Sequence, residues 1–593
     1  MQALEVPEIL RLIGQFLDYP RLAAATVVCK SWNRIFTPFL YHTIERLSHC
    51  RNVPSSAVLE GYVDHVRAIK VYSIFWIPSL ARCTHLKELH IGLYFEEEDH
   101  DIESPWMPLT DLVHHNPKLV TVCVTKPKNE FLRAVLTCCP QLKRLEFDRA
   151  ELTDMVTDVN LIFNVCLRLE ELKMVNMTLD LKTHGISWDN WPVFPTIKKL
   201  WIGITQDSHR SPLQAQGQHE FIQRCPNLES LTMSFCGDTL PVREIKDLLS
   251  PKTSPCPKIK AFAIRLTGYN PSFSEGQLVE ILNGCKSNLT SFENSCDYFK
   301  DLSCQALVSN LASTLTHLRL EKCEFSSSVS AMKIISSSPH LVHFHCAKPL
   351  NAREILGIQR DTSEPPAYPR ASHAQQSNQP SRNQPLAKSI HPPEWACKNL
   401  QTLEIGICGL YSGTPEWQQA VLKQLAKLTQ LRVLDVQAGA DATLKTGSRD
   451  GLAFRLASGL DILSSLTMLE TLRFGTIWQE MEEQEIEWII KAWPRLSSIH
   501  GWVHHSQNRR IELKTLFKKH GIAVGYDYGF DTVLKGDDKD GSRTGSIDID
   551  YEQYYGKYEQ YSDEYDQYDI EHYYELMEAE FENALWGDRT PPY

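Results

Sequence analysis

Two short stretches hold residue types that could do chemistry. Val28-Cys29-Lys30-Ser31-Trp32 sets a cysteine beside a lysine, and a thiol becomes a nucleophile where a nearby cation stabilises its thiolate. His343-Phe344-His345-Cys346 carries histidines two apart, which an alternating strand turns to one side as a metal-binding pair. Neither stretch grows into a site. Successive helical residues point about 100° apart, so Lys30 need not face Cys29, and the first histidine of the chain is His42. No third ligand accompanies His343 and His345, and His114-His115 and His504-His505, read as strand neighbours, point oppositely. No H-E-x-x-H, Walker A loop or G-x-S-x-G occurs. The expectation is a chain with no catalytic residue, no metal and no cofactor, in which Cys29 serves packing or an interface.

The elements that must position these residues repeat. A six-residue frame, apolar-x-x-apolar-x-apolar, starts at Val66, Leu86, Leu119, Leu142, Leu169, Ile197, Leu228, Ile259, Leu289, Leu315, Leu341, Leu400, Leu431, Leu469 and Leu496. Two copies lack their third apolar residue, with Asn294 and Gly501 in its place. Breakers such as Cys139-Pro140, Cys225-Pro226 and Cys256-Pro257 precede several frames, which fits a helix ending before a strand begins. Helix-like stretches lie between frames, for example Phe131–Leu136 and Gln277–Leu282. With residues 348–394 set aside, the array averages about 26 residues per unit, within the ~20–29 of leucine-rich repeats. The chain resembles that family, with one parallel strand and one helix per repeat. No single unit buries its apolar frame, but stacked neighbours make a continuous core. Uneven spacing predicts loops of uneven length and an imperfect horseshoe.

Residues 348–394 are rich in Pro, Ser, Gln and Asn and read as a disordered insert. The net charge of −12 is concentrated in an acidic, tyrosine-rich tail at residues 547–593, which leaves the rest neutral. Such a body has no basic field for nucleic acid. No apolar run approaches the ~18 residues of a membrane span, and MQALEVPEIL lacks the basic start of a secretory signal. The 17 cysteines contain no C-x-x-C pair and read as small buried hydrophobes in a reducing compartment. A cytoplasmic or nuclear protein, binding neither membrane nor nucleic acid, is expected.

Residues 4–44 do not follow the repeat. Ile9, Leu10, Ile13, Phe16 and Leu17 form one helical face, and Asp18-Tyr19-Pro20 breaks it with a proline suited to the next helix's first turn. Leu22, Ala25, Val28, Cys29, Trp32 and Phe36 form a second stripe, on one helix or two. About forty residues supply too little core for independence, so part of this surface meets something else. The stretch resembles an F-box. Leu4, Pro7, Glu8, Ile9, Ile13 and Leu17 match its opening segment and first helix, Leu22 matches the leucine after its Asp-Pro turn, and Val28-Cys29-Lys30-x-Trp32 matches its V-C-[KR]-x-W stretch. An F-box followed by leucine-rich repeats is a familiar arrangement, similar here to fungal members.

The resemblance implies a non-catalytic adaptor of a Skp–cullin–F-box ubiquitin ligase. Leu4, Pro7, Ile9, Ile13, Leu17, Val28, Cys29 and Trp32 would contact a Skp-type linker and, through it, a cullin–RING ligase. The alternative is a repeat scaffold in a Skp-containing assembly without substrate turnover. On the open strand face, Arg144, Lys173, Trp201, Arg265, His317, Arg319 and Arg473 are the candidates for holding an unknown substrate protein, together with Glu146, His345, Glu404 and Asp435. The expected α/β architecture is a helical F-box at 1–45, repeats at 46–347, the insert at 348–394, repeats and a cap at 395–534, and the tail at 535–593.

Overall fold

A computed structural model describes residues 6–45, 59–71, 80–92, 106–150, 155–175, 191–203, 213–235, 242–250, 254–266, 273–285, 289–325, 328–358, 393–410, 415–437, 451–475, 477 and 479–525. The tail at 535–593, Leu4 and residues 359–392 lie outside them. The described residues form two compact units, one within residues 6–116 (unit 1) and one within residues 117–525 (unit 2).

Unit 1 opens with three helices, α1 (Pro7–Gly14), α2 (Tyr19–Thr26) and α3 (Lys30–Leu40). Asp18 caps α2 by accepting from the Arg21 amide at 3.0 Å, and proline occupies its first turn. Cys29 caps α3, its sulfur accepting from the Trp32 amide at 3.4 Å. The second stripe is therefore split at Val27–Cys29, and the Asn33 amide binds α3 to the end of α2 through the Thr26 carbonyl at 2.9 Å. Leu10, Leu22, Ala25 and Phe36 form the core, with Ile13, Leu17, Trp32, Ile35, Phe39 and Leu40 against it. Three parallel strands follow, β1 (Thr43–Glu45), β2 (Ala68–Val71) and β3 (Glu88–Ile91), then a helix at Trp106–His115. That helix holds His114 and His115, so they are not strand neighbours.

Unit 2 continues the pattern. Its strands are β4 (Thr121–Thr125), β5 (Arg144–Asp148), β6 (Glu171–Val175), β7 (Lys199–Gly203), β8 (Ser230–Phe235), β9 (Ala261–Leu266) and β10 (Ser291–Ser295). After them come β11 (His317–Lys322), β12 (His343–Asn351), β13 (Thr402–Cys408), β14 (Val433–Asp435), β15 (Thr471–Gly475), β16 (Ser498–Gly501) and β17 (Ala523–Gly525). Each pairs in parallel with its neighbour in chain order. Helices at 129–138, 155–166, 213–223, 242–249, 275–284, 301–311, 329–337, 415–425 and 483–492 return the chain between strands. This is an α/β solenoid of parallel strands with returning helices. All fifteen frames become strands, β2 to β16, with apolar positions such as Leu142, Leu145 and Phe147 buried and alternate residues open.

The two defective frames have physical reasons. Asn294 is buried, and its amide donates to the Cys296 and Lys322 carbonyls at 2.9 and 3.0 Å, where the β10–β11 register shifts. Gly501 has φ +135°, and a Cβ there would lie 2.5 Å from a Phe474 ring carbon. Elsewhere the structure departs from expectation. Residues 348–358 are not insert: they finish β12, form a helical turn at Ala352–Ile355, and bury Leu350, Ala352, Ile355 and Leu356. The frames also miss β1 and β17, whose single inward residues, Ile44 and Val524, make no six-residue pattern.

Candidate functional site

Strand alternation sends every second side chain to the open face of unit 2, and parallel register aligns those side chains across repeats. One row runs through Cys123, Glu146, Lys173, Trp201, Thr232 and Ala263, and continues through Glu293, Arg319, His345, Glu404, Asp435 and Arg473. The row holds eight of the expected open-face residues, and Arg144, Arg265 and His317 flank it.

Trp201 is the centre of the first half. The Lys173 ammonium lies 4.1 Å from its ring centroid, the Arg265 guanidinium carbon lies 4.4 Å from it, and its indole N–H donates to Ser234 Oγ at 2.9 Å. Each cation has an acid behind it: Lys173 donates to Glu146, and Arg265 Nη2 lies 2.5 Å from Glu293 Oε1. Arg144 stands 3.5 Å from Glu146 and 3.6 Å from Glu171. Burial raises Glu146, but the Lys173 hydrogen bond and charge, Arg144 and a Cys123 hydrogen bond outweigh it and hold the carboxyl below its ordinary value. Cys123 itself, desolvated and beside that carboxylate, is pushed up to about 12. It is an inert thiol.

The second half is built the same way. His345 Nδ1 sits 2.8 Å from Glu404 Oε2, Arg319 Nε donates to Glu321 at 2.8 Å, and Arg473 stands 3.8 Å from Asp435. The His345 hydrogen bond, opposed by burial and assisted by Arg319 and Arg473, keeps Glu404 below the ordinary carboxylate value. His343 stacks on His317 with centroids 4.4 Å apart, so its ring and that of His345 meet different partners. Burial, then the His343 neighbour, lowers His317. Among the described residues no group of three or more His, Cys, Asp or Glu is placed to hold a metal ion. His504 and His505 stack at 4.3 Å in the turn before the helix Gln507–Lys519, where strand alternation does not apply. The open face is a charge-compensated surface in which the Trp201 ring lies under two cations. Glu293, Glu171, Glu321 and Ser234 belong to it and were missed. Glu293 stands at the fifth position of the weak Leu289 frame, a signal that was available.

The α1–α3 module presents a different surface. Pro7, Ile9, Val28 and Cys29 are exposed, whereas Ile13, Leu17 and Trp32 pack inward, Trp32 edge-on to Phe36 at 5.4 Å. Seven of the thirteen exposed large hydrophobic residues among the described residues lie between positions 6 and 28. Phe16 is 83% exposed, Val27 82%, Val28 60% and Leu12 58%. Leu12 and Val27 did not stand out in sequence, because helical periodicity says which residues share a face and not which face stays bare.

No protein-family model matches this chain, and no curated protein sequence does. Among solved structures it is similar to a chain of the yeast Rad7 and Elc1 complex, at 12% identity over 85% of this chain and 90% of that one, with a TM-score of 0.34. It is similar to a Leptospira interrogans LRR protein at 12% identity, 78% and 96% coverage and a TM-score of 0.25. A chain of the Drosophila Toll–Spatzle complex aligns at 11% identity, 79% and 55% coverage and a TM-score of 0.24.

Proposed function

We propose that this chain is the substrate-recognition subunit of a Skp–cullin–F-box ubiquitin ligase in the cytosol or nucleus, with α1–α3 docking on a Skp-type linker and the open face of unit 2 receiving the substrate protein. The observation that carries the reading is bare apolar surface on a module whose own core is already filled: Phe16, Val27 and Val28 face water while Leu10, Leu22 and Phe36 are buried. Apolar surface concentrated in so short a stretch suits a protein partner. The V-C-K-x-W resemblance supports the same assignment and divides by role, with Trp32 holding the module together and Val28 and Cys29 facing out. The chain's contribution would be proximity, raising the effective concentration of substrate near the transfer machinery.

Changing Phe16→Ser and Val28→Ser together tests this, because both side chains are exposed and their loss spares the core. Burying each is worth about 1.5–3 kcal/mol, so capture of a co-expressed Skp-type linker should weaken by about a hundredfold or more. Capture at parental affinity would overturn the docking assignment. In cells the same variant should hold its bound partner and stop that partner's ubiquitin-dependent loss. Linker capture without any such turnover would select the scaffold reading. Trp201→Ala should weaken partner retention and leave linker capture intact.

A further inference from the structure

Among the described cysteines one pair differs from the rest. Cys323, just past the end of β11, and Cys346, on β12, hold their sulfur atoms 3.7 Å apart on adjacent strands. Cys346 is 1% exposed and Cys323 is half-buried, so solvent reaches the pair from the Cys323 side. β12 breaks register between Cys346 and Leu350, and this brings the Lys348 main chain and ammonium to the pair. The Cys346 sulfur lies 3.6 Å from the Lys348 carbonyl, and Lys348 Nζ donates to the Phe325 carbonyl beyond Cys323. We propose that Cys323 and Cys346 form a peroxide-oxidisable dithiol, with Cys323 the attacking sulfur and Cys346 the resolving one.

The electrostatics agree with the geometry. The hydrogen bond from Cys346, opposed by burial and assisted by Lys348, lowers Cys323. Burial instead pushes Cys304, Cys296 and Cys397 up to about 12, which leaves them protonated and inert. In the first step Cys323 gives up its proton, its thiolate attacks an oxygen of hydrogen peroxide, and the O–O bond breaks. Cys323 becomes a sulfenic acid while the departing hydroxide takes up a proton, matching the one the thiol released, and leaves as water. Cys346 then attacks that sulfur, the S–O bond breaks, and the displaced hydroxide takes the Cys346 proton and leaves as water. The balance is two thiols and one hydrogen peroxide giving one disulfide and two waters.

The product would staple the end of β11 to the middle of β12, with His345 of the open-face row next to Cys346 in sequence and Arg319 paired with His345 in register. The inference does not depend on the ligase reading, since it concerns a thiol pair and no partner.

The test uses the full-length folded chain, hydrogen peroxide, and alkylation before digestion. Trypsin cuts after Lys322, Lys333 and Arg353 and spares the Lys348-Pro349 bond, so the disulfide joins peptide 323–333 to peptide 334–353. The expected result is that joined species, lost on treatment with dithiothreitol and absent from the Cys323→Ser and Cys346→Ser chains. In Cys346→Ser, Cys323 should stop at the sulfenic acid and take up a sulfenate-trapping dione, while Cys323→Ser leaves Cys346 unlabelled. Neither variant touches α1–α3. Absence of the joined peptides from the oxidised parent, with exposed Cys29 oxidised as an internal control, would overturn the proposal. Joined peptides found only after unfolding in urea would overturn it as well.

Discussion

Between the helix 415–425 and the strand β15 the repeat abandons its regular return path, and residues 451–465 run as an irregular segment with two short 3-10 turns. An irregular buried backbone must find hydrogen-bond partners outside its own element. Gln479, 1% exposed, supplies them: its carbonyl accepts from the Phe454 amide at 2.7 Å, and its amide donates to the Leu452 carbonyl at 3.0 Å. Gln479 is itself anchored through its main-chain N–H to the Trp502 carbonyl at 3.0 Å. Gln479→Leu keeps the volume and orphans both backbone groups in an apolar setting where Leu452 and Phe454 are fully buried. An unsatisfied buried group costs about 1–3 kcal/mol, so the pair costs about 2–6 kcal/mol. At 1.4 kcal/mol per factor of ten, the lower figure already reduces exchange protection by about thirtyfold. Hydrogen exchange read by mass spectrometry over residues 452–456 measures this directly. A solenoid couples mainly nearest neighbours, so protection across β5 and β6, many repeats away, should hold. Protection at 452–456 within twofold of the parent would refute the reasoning. So would a uniform loss across unit 2, which would mean that the repeats do not open independently.

Two further outcomes follow from the same packing. Gly501→Ala should lower the denaturation midpoint of unit 2 through a loss of about 1–3 kcal/mol, since the added Cβ meets the buried Phe474 ring at 2.5 Å; an unchanged midpoint counts against the close approach. Glu404 is held below its ordinary value, so its stabilisation is present above the unfolded carboxylate pKa of about 4.3 and is lost as pH falls through the lower folded value. Stability measured across that acidic window should fall less steeply with acid in Glu404→Gln than in the parent, and equal slopes would sink the assignment.

Fold and site were legible to different depths. The frames marked β2 to β16 because the pattern of a strand is local: apolar residues two apart must share a face, whatever the neighbours are. Even Asn294 and Gly501 kept their places in the array, one by bonding two carbonyls and the other by leaving room for a ring. Trp201 and the basic residues could be assigned to the open face by the same alternation. Their state could not. Lys173 and Glu146 are 27 residues apart in the chain, and His345 and Glu404 are 59 apart, so only register across repeats of uneven length decides that they meet.

The sequence by itself determined the repeating α/β plan, the separate helical character of residues 7–40, and the sorting of inward from outward positions. All of these follow from the periodicity of short segments. Tertiary structure decided the rest: that residues 348–358 fold, that Trp32 turns inward while Val28 stays bare, and that the open-face charges are mutually compensated. It alone put Cys323 against Cys346. These are properties of lateral packing, and a side chain's lateral neighbours depend on how many residues each repeat spends returning to the sheet, a quantity that the local pattern does not contain.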